Sequence, residues 1–105
     1  MRRGEVYWID FGGPAGIRPA VVLTHQRIVD RIAGVLVVPC TTNVRGVASE
    51  AVLTVEDGMQ ERCVANAASV AVVYRRQIKG LICELPPERV NAVCAALQWF
   101  SGCGG

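Results

Sequence analysis

The sequence is short of the residues on which most catalytic devices rest. It has one histidine, His25, and one lysine, Lys79, and it contains no GxSxG elbow, no HExxH pair and no phosphate-binding P-loop. A histidine cage for a metal is therefore excluded, and no Cys/His spacing recommends a nucleophilic dyad. The five cysteines, Cys40, Cys63, Cys83, Cys94 and Cys103, are odd in number and include no CxxC clip or zinc-ligand pair, so free thiols are expected. Cys40, Cys83 and Cys94 lie among apolar neighbours and read as small hydrophobes. No run approaches the roughly 20 apolar residues of a membrane span. Arg2 and Arg3 run at once into Glu5 and Asp10, without the apolar core of a signal peptide, so a cytoplasmic location is the expectation. Neither a metal site nor a cofactor is expected.

What is present is enough for one core. The chain has 105 residues, of which 51% are hydrophobic and 19% charged, which excludes intrinsic disorder and fits a single domain over 1–105. A net charge of +2 is too small to argue nucleic-acid binding from its sum. Its quality says more. All basic residues but Lys79 are arginine, whose planar fork pairs bidentately with phosphate.

Strand signals dominate the first two thirds of the chain. Gly4 to Phe11 is rich in aromatic and β-branched residues and stops at Gly12-Gly13-Pro14. Ala20 to Leu23 and Val35 to Val38 are continuous apolar runs, as expected of strands buried on both faces. Between them, Ile28, Val29 and Ile32 stand at helical spacing within a polar connection, compatible with one short turn. Glu50 to Val55 alternates and breaks at Asp57-Gly58, and Ser69 to Tyr74 and Leu81 to Leu85 are β-like. The period then changes: Pro87 leads Val90, Val93, Cys94 and Leu97 on an amphipathic helix ending before Gly102. Six short strands and one helix suit a mainly β (α+β) fold, a small curled barrel with a C-terminal α-helix packed on it.

Few residues remain for chemistry. Arg18 opens the run Arg-Pro-Ala-Val-Val-Leu, and Thr41-Thr42 closes Val-Leu-Val-Val-Pro-Cys-Thr-Thr. If these strands are antiparallel neighbours, the start of one lies beside the end of the other, and Arg18 meets Thr41. Composition and periodicity alone fit a surface arginine and two turn hydroxyls better than a catalytic pair. The sharper reading is that phosphodiester cleavage builds charge on non-bridging oxygens, which an arginine fork and a hydroxyl donor can hold.

Three blocks resemble the MazF/PemK family of toxin-antitoxin ribonucleases: Arg3 to Phe11 (Arg-Gly-Glu-Val-Tyr-Trp-Ile-Asp-Phe), Arg18 to Leu23, and Val38-Pro39-Cys40-Thr41-Thr42-Asn43 with Arg45-Gly46. Glu50 to Leu53, Ser69-Val70-Ala71 and the final helix match more loosely. The resemblance implies an SH3-like barrel (CcdB/PemK-like) that forms a homodimer. It also implies a metal-independent endoribonuclease in which Arg18 and Thr41 act together on single-stranded RNA. The RNA's 2′-hydroxyl would attack the adjacent phosphorus, leaving a 2′,3′-cyclic phosphate and a 5′-hydroxyl, with Arg18 stabilising the phosphorane and Thr41 as second donor. No strong general base is visible. Because the family reads unpaired bases in a dimer groove, substrate contacts are expected from Phe11, Gly16, Thr42, Asn43, Asn66 and Ser69. A cognate antitoxin with an acidic flexible segment is the implied partner. The sequence departs from the family in a short, acid-free loop, Gly12 to Ile17, and in an apolar stretch, Ala67 to Tyr74. Two other functions share the fold: a gyrase-poisoning toxin acting by protein binding, for which Trp99 and Phe100 near the C-terminus are available, and a non-catalytic binder of RNA or antitoxin.

Overall fold

Most apolar runs become strands where the sequence places them: pairing lengthens the second and third, whereas the run expected over Glu50 to Val55 ends at Leu53 and passes into a 3-10 turn (Val55–Asp57). In a computed structural model, which describes residues 1–104, β1 (Glu5–Asp10) folds back through a single 3-10 turn at Gly13–Ala15 onto β2 (Ile17–Val22). β3 (Gly34–Thr41) follows, longer than its apolar run and reaching Thr41 itself. β4 (Glu50–Leu53), β5 (Cys63–Asn66), β6 (Ala71–Tyr74) and β7 (Ile78–Glu84) complete an antiparallel sheet of order β4-β5-β3-β2-β1-β7. β6 joins β3 off this path. β3 thus holds three partners: β2, β6 along Gly34–Val37, and β5 at Cys40 and Thr41.

The expected mainly β fold with a C-terminal helix is the one found, with two differences. The sheet is not closed into a barrel: β4 and β7 end the strand order and do not pair with each other. The described residues form seven strands rather than six, the additional one being β5, whose four residues include alanine and asparagine, poor strand formers that pairing with β4 and β3 nonetheless holds extended. Ser69, expected to open a strand, instead ends a 3-10 turn (Ala67–Ser69) that the Asn66 side chain caps by accepting from the Ala68 N–H at 3.1 Å. In the polar connection before β3, the His25 carbonyl accepts from the N–H groups of Ile28 and Val29, the single helical turn that the spacing suggests.

Burial explains why the runs in β2 and β3 do not alternate. Val21, Val38 and Cys40 face one core with Leu53, Met59 and Val93, while Ala20, Val22 and Val37 face a second with Ile9, Val29 and Val73. Both faces of these two strands are covered. The first core is roofed by α1 (Pro87–Ser101), which buries Val93 and Ala96 and stops at Gly102, left-handed at φ 73°. No helix among the described residues is long and apolar enough to cross a membrane.

One charged group ties helix to sheet. The Asp57 carboxylate, 8% exposed, accepts from Thr54 N (2.8 Å) and Thr54 Oγ1 (3.1 Å) and pairs with Arg89 Nε of α1 at 2.9 Å. Burial alone would raise its pKa, but the Thr54 hydrogen bonds and the Arg89 charge outweigh burial and hold it below the ordinary 3.8. A depressed carboxylate pKa stabilises the fold fully above the unfolded-state value, and the contribution is lost as pH falls through the lower folded-state value. Arg89 is partly solvated, so most of the effect rests on Thr54. Asp57→Ala should therefore lower stability by about 2 kcal/mol, read as the urea midpoint at neutral pH. The wild type should lose stability more steeply than Asp57→Asn as pH falls below about 4; parallel acid profiles would contradict this account.

Candidate active site

The pairing of β2 with β3 builds the site. Its register is Ala20↔Pro39, Val21↔Val38 and Val22↔Val37, so continuing two residues outward sets Arg18 opposite Thr41. Both line one polar cleft of about 210 Å³. Arg18 is half-buried and anchored through Nε to the Ala15 carbonyl at 3.1 Å. Its two terminal amino groups make no hydrogen bond among the described residues and are available to a ligand. Thr41 Oγ1 accepts from the Asn43 N–H at 3.1 Å, which leaves the hydroxyl proton free to donate elsewhere.

Three other expected residues reach the same cleft. Asn43 enters it from the turn after β3, and Asn66 and Ser69 from the end of β5 and the turn beyond, linked to each other by Asn66 Nδ2 donating to Ser69 Oγ at 3.3 Å. Thr42 does not line this cleft; it lines a second cavity that shares Cys40 and Thr41 with the first. Phe11 and Gly16 lie outside both cavities. The Phe11 N–H donates to the Gly16 carbonyl at 2.9 Å, closing the β1–β2 hairpin, and the Phe11 side chain packs beside the second core.

Two charged cleft residues, Arg45 and Glu50, were not singled out from the sequence as site residues. Glu50, at the start of β4, stands directly across from Asn66 in β5. Its carboxylate accepts from Arg45 N at 3.0 and 3.3 Å and from Gly46 N at 2.8 Å. These charge-assisted bonds fold the loop after Thr41 back over the cleft and bring Arg45 to its lining. Gly46 suits this reversal with φ +73°, a conformation that L side chains rarely adopt. An acid four and five residues after an Arg-Gly pair was the available signal. It is weak without knowledge that β4 pairs with β5.

The cleft is lined by two arginines and one glutamate, and the glutamate's carboxylate is committed to backbone N–H groups. It is suited to a tetrahedral anion carrying more than one charge-bearing oxygen. Nucleophilic thiol chemistry is disfavoured: Cys40 shares the lining, but its hydrogen bond with Cys63 and its burial push the thiol pKa well up and keep it protonated. All five cysteines are free. Among the described residues no group of three His, Cys, Asp or Glu side chains could hold a metal ion.

Comparison with known proteins bears on the fold and the family. Residues 2–101 match the family described as PemK-like, MazF-like toxin of type II toxin-antitoxin system. A protein of Mycobacterium tuberculosis named probable endoribonuclease MazF2 is 38% identical over 104 residues, spanning 98% of this chain and 100% of that protein. Among solved structures, an endoribonuclease in complex with its cognate antitoxin, from a mycobacterial species, is similar with TM-score 0.87 at 22% identity, over 100% of this chain and 98% of that one. A chain of MazE-MazF from Deinococcus radiodurans is similar with TM-score 0.78 at 22% identity, over 97% and 95%. The structural likenesses carry the fold, and the family match covers all three sequence blocks, including Arg18 and Thr41. The chain belongs to the PemK-like, MazF-like family of type II toxin-antitoxin toxins.

Proposed function

We propose that this toxin is an endoribonuclease that cleaves single-stranded RNA at the cleft between Arg18 and Thr41. The observation that supports the reading best is their meeting in one polar cleft, across the antiparallel register, with a second arginine, Arg45, in the lining. In the reaction, the 2′ oxygen forms its bond to phosphorus as the bond from phosphorus to the 5′ oxygen breaks. The 2′ proton leaves to water, and the 5′ oxygen takes up a proton delivered by Arg18, which is resupplied from solvent. The products are a 2′,3′-cyclic phosphate and a 5′-hydroxyl. Arg18 holds the non-bridging oxygens as their charge grows, and the Thr41 hydroxyl donates a second hydrogen bond. DNA cannot react this way, because it has no 2′-hydroxyl.

The protein acts as a homodimer in the cytoplasm, and its cognate antitoxin covers the cleft with an acidic flexible segment whose carboxylates pair with Arg18 and Arg45. Asn43, Asn66 and Ser69 contact the substrate from the cleft lining.

A long single-stranded RNA incubated with the protein in EDTA should give discrete cuts ending in 2′,3′-cyclic phosphate. Arg18→Ala should lower kcat by about 100- to 1000-fold; uncut RNA, or equal cutting by the variant, would sink the proposal. Glu50 acts as a positioning residue in this scheme. Glu50→Ala, which frees the Arg45 loop, should reduce kcat/KM by about tenfold or more with much of the loss in KM, and Glu50→Gln, which keeps an acceptor oxygen, should restore part of it. A Glu50→Ala enzyme with unchanged KM would remove Arg45 from the substrate site.

A further inference from the structure

Thr41 lines two cavities, and the second is not explained by phosphate chemistry. It measures about 180 Å³ and is bounded mainly by apolar groups. Trp8 of β1 and Pro19 of β2 stand directly opposite each other in register and form one wall. Met59, Cys63 and Ile82 supply further apolar lining. Three exposed polar residues, Thr42, Gln60 and Glu61, complete it. Among the described residues none of these three side chains makes a hydrogen bond within the protein, and neither does the Trp8 indole N–H.

We propose that this cavity is a base-recognition pocket that takes the nucleobase flanking the scissile phosphate. The inference rests on the cleavage reading for the phosphate's position and on the cavity itself for the base. A base needs a flat aromatic or apolar surface for its π-face and fixed donors and acceptors at its edge. Trp8 with Pro19 offers the first, and Thr42, Gln60 and Glu61 the second. The two cavities share Cys40 and Thr41, and Pro19 of the pocket is the chain neighbour of Arg18. A phosphate held by Arg18 and Thr41 and a base in the pocket therefore belong to adjoining parts of one nucleotide step. The chain's own path makes the same division, since Thr42 lines the pocket and Asn43 the cleft.

Glu61 gives the pocket a preference. A carboxylate accepts hydrogen bonds and donates none, so it selects a base with an exocyclic amino group, as the pairing of Glu or Asp with cytosine N4 illustrates. Cytosine, adenine and guanine satisfy it; uracil has no exocyclic amino group, and its single N3–H donor lies between two carbonyl oxygens that repel a carboxylate. Gln60 and Thr42, each both donor and acceptor, can meet the rest of the base edge.

The test uses Trp8 as its own reporter. The chain has two tryptophans, and the second, Trp99, is 64% exposed, so Trp99→Phe leaves Trp8 as the sole tryptophan, excited apart from Tyr7 and Tyr74, with little disturbance. The probes are 2′-deoxy hexanucleotides of cytosine, adenine and uracil, which occupy the site without being cut. Saturable quenching of Trp8 is expected with the first two at about tenfold tighter binding than with the uracil strand, and Glu61→Gln should abolish the difference. Mapping the cut sites of wild type and Glu61→Gln on a mixed-sequence RNA should show the preference relaxing at one position only. If RNA is cut in an Arg18-dependent way while no strand quenches Trp8 and the cut sites of Glu61→Gln are unchanged, the pocket is overturned and the cleavage reading stands. If RNA is not cut but the strands quench Trp8 in the stated order, the cleavage reading falls and takes with it the pocket's place beside a scissile phosphate, leaving only its binding of a base. Quenching by an acidic peptide but by none of the three strands would make the cavity a protein-docking site and overturn the proposal.

Discussion

Two strands buried on both faces hold each other in one register, and the site depends on that register. Val21 and Val38 fill one core while Ala20, Val22 and Val37 fill the other. A slip of one residue would exchange the contents of two cores of different shape and turn Arg18 away from Thr41. The constraint is apolar and non-directional, yet it fixes a polar geometry several residues away. It does so because a β-ladder is stiff and its side chains alternate strictly. The pair itself contributes little to stability, since neither residue bonds to the other. The cores position groups whose hydrogen-bonding capacity is left open for a ligand.

The loop after β3 follows a different logic. Between Thr42 and Ala48 the chain is exposed and in no strand, and such segments are mobile unless held. Glu50 holds this one through two backbone N–H groups, so a single carboxylate converts an open loop into a wall of the cleft. Asn43 and Arg45 thereby reach the lining at the cost of ordering a few residues, a cost that charge-assisted hydrogen bonds can offset.

Much of this was legible in the sequence, and the exceptions have a common cause. β1, β2, β3 and the helix could be read because their signals are local: apolar runs, Pro87 at the helix start and Gly102 at its end. Arg18 and Thr41 could be paired because antiparallel neighbours bring one strand's start to the other's end. β5 was missed because Cys63-Val64-Ala65-Asn66 has no strand signature of its own and is defined by its partners. Missing β5 also hid Glu50, whose place beside the cleft comes from the β4–β5 pairing. Phe11 and Gly16 entered the expected site through the family resemblance. The short loop instead spends their backbone groups on each other, with Gly16 also donating to the Gly12 carbonyl.

On the proposed reading, chemistry and recognition are carried by different kinds of element. Arg18 and Thr41 belong to the paired ends of core strands, where position is set by packing. Thr42, Gln60 and Glu61 lie outside the strands and are exposed, so substitution there costs the fold little. A family built this way can keep one reaction while changing which RNA it meets, because loop residues can vary without moving the strand register. The boundary runs through Thr41 and Thr42: one residue ends the strand and lines the polar cleft beside Arg18, and the next begins the loop and lines only the neighbouring pocket.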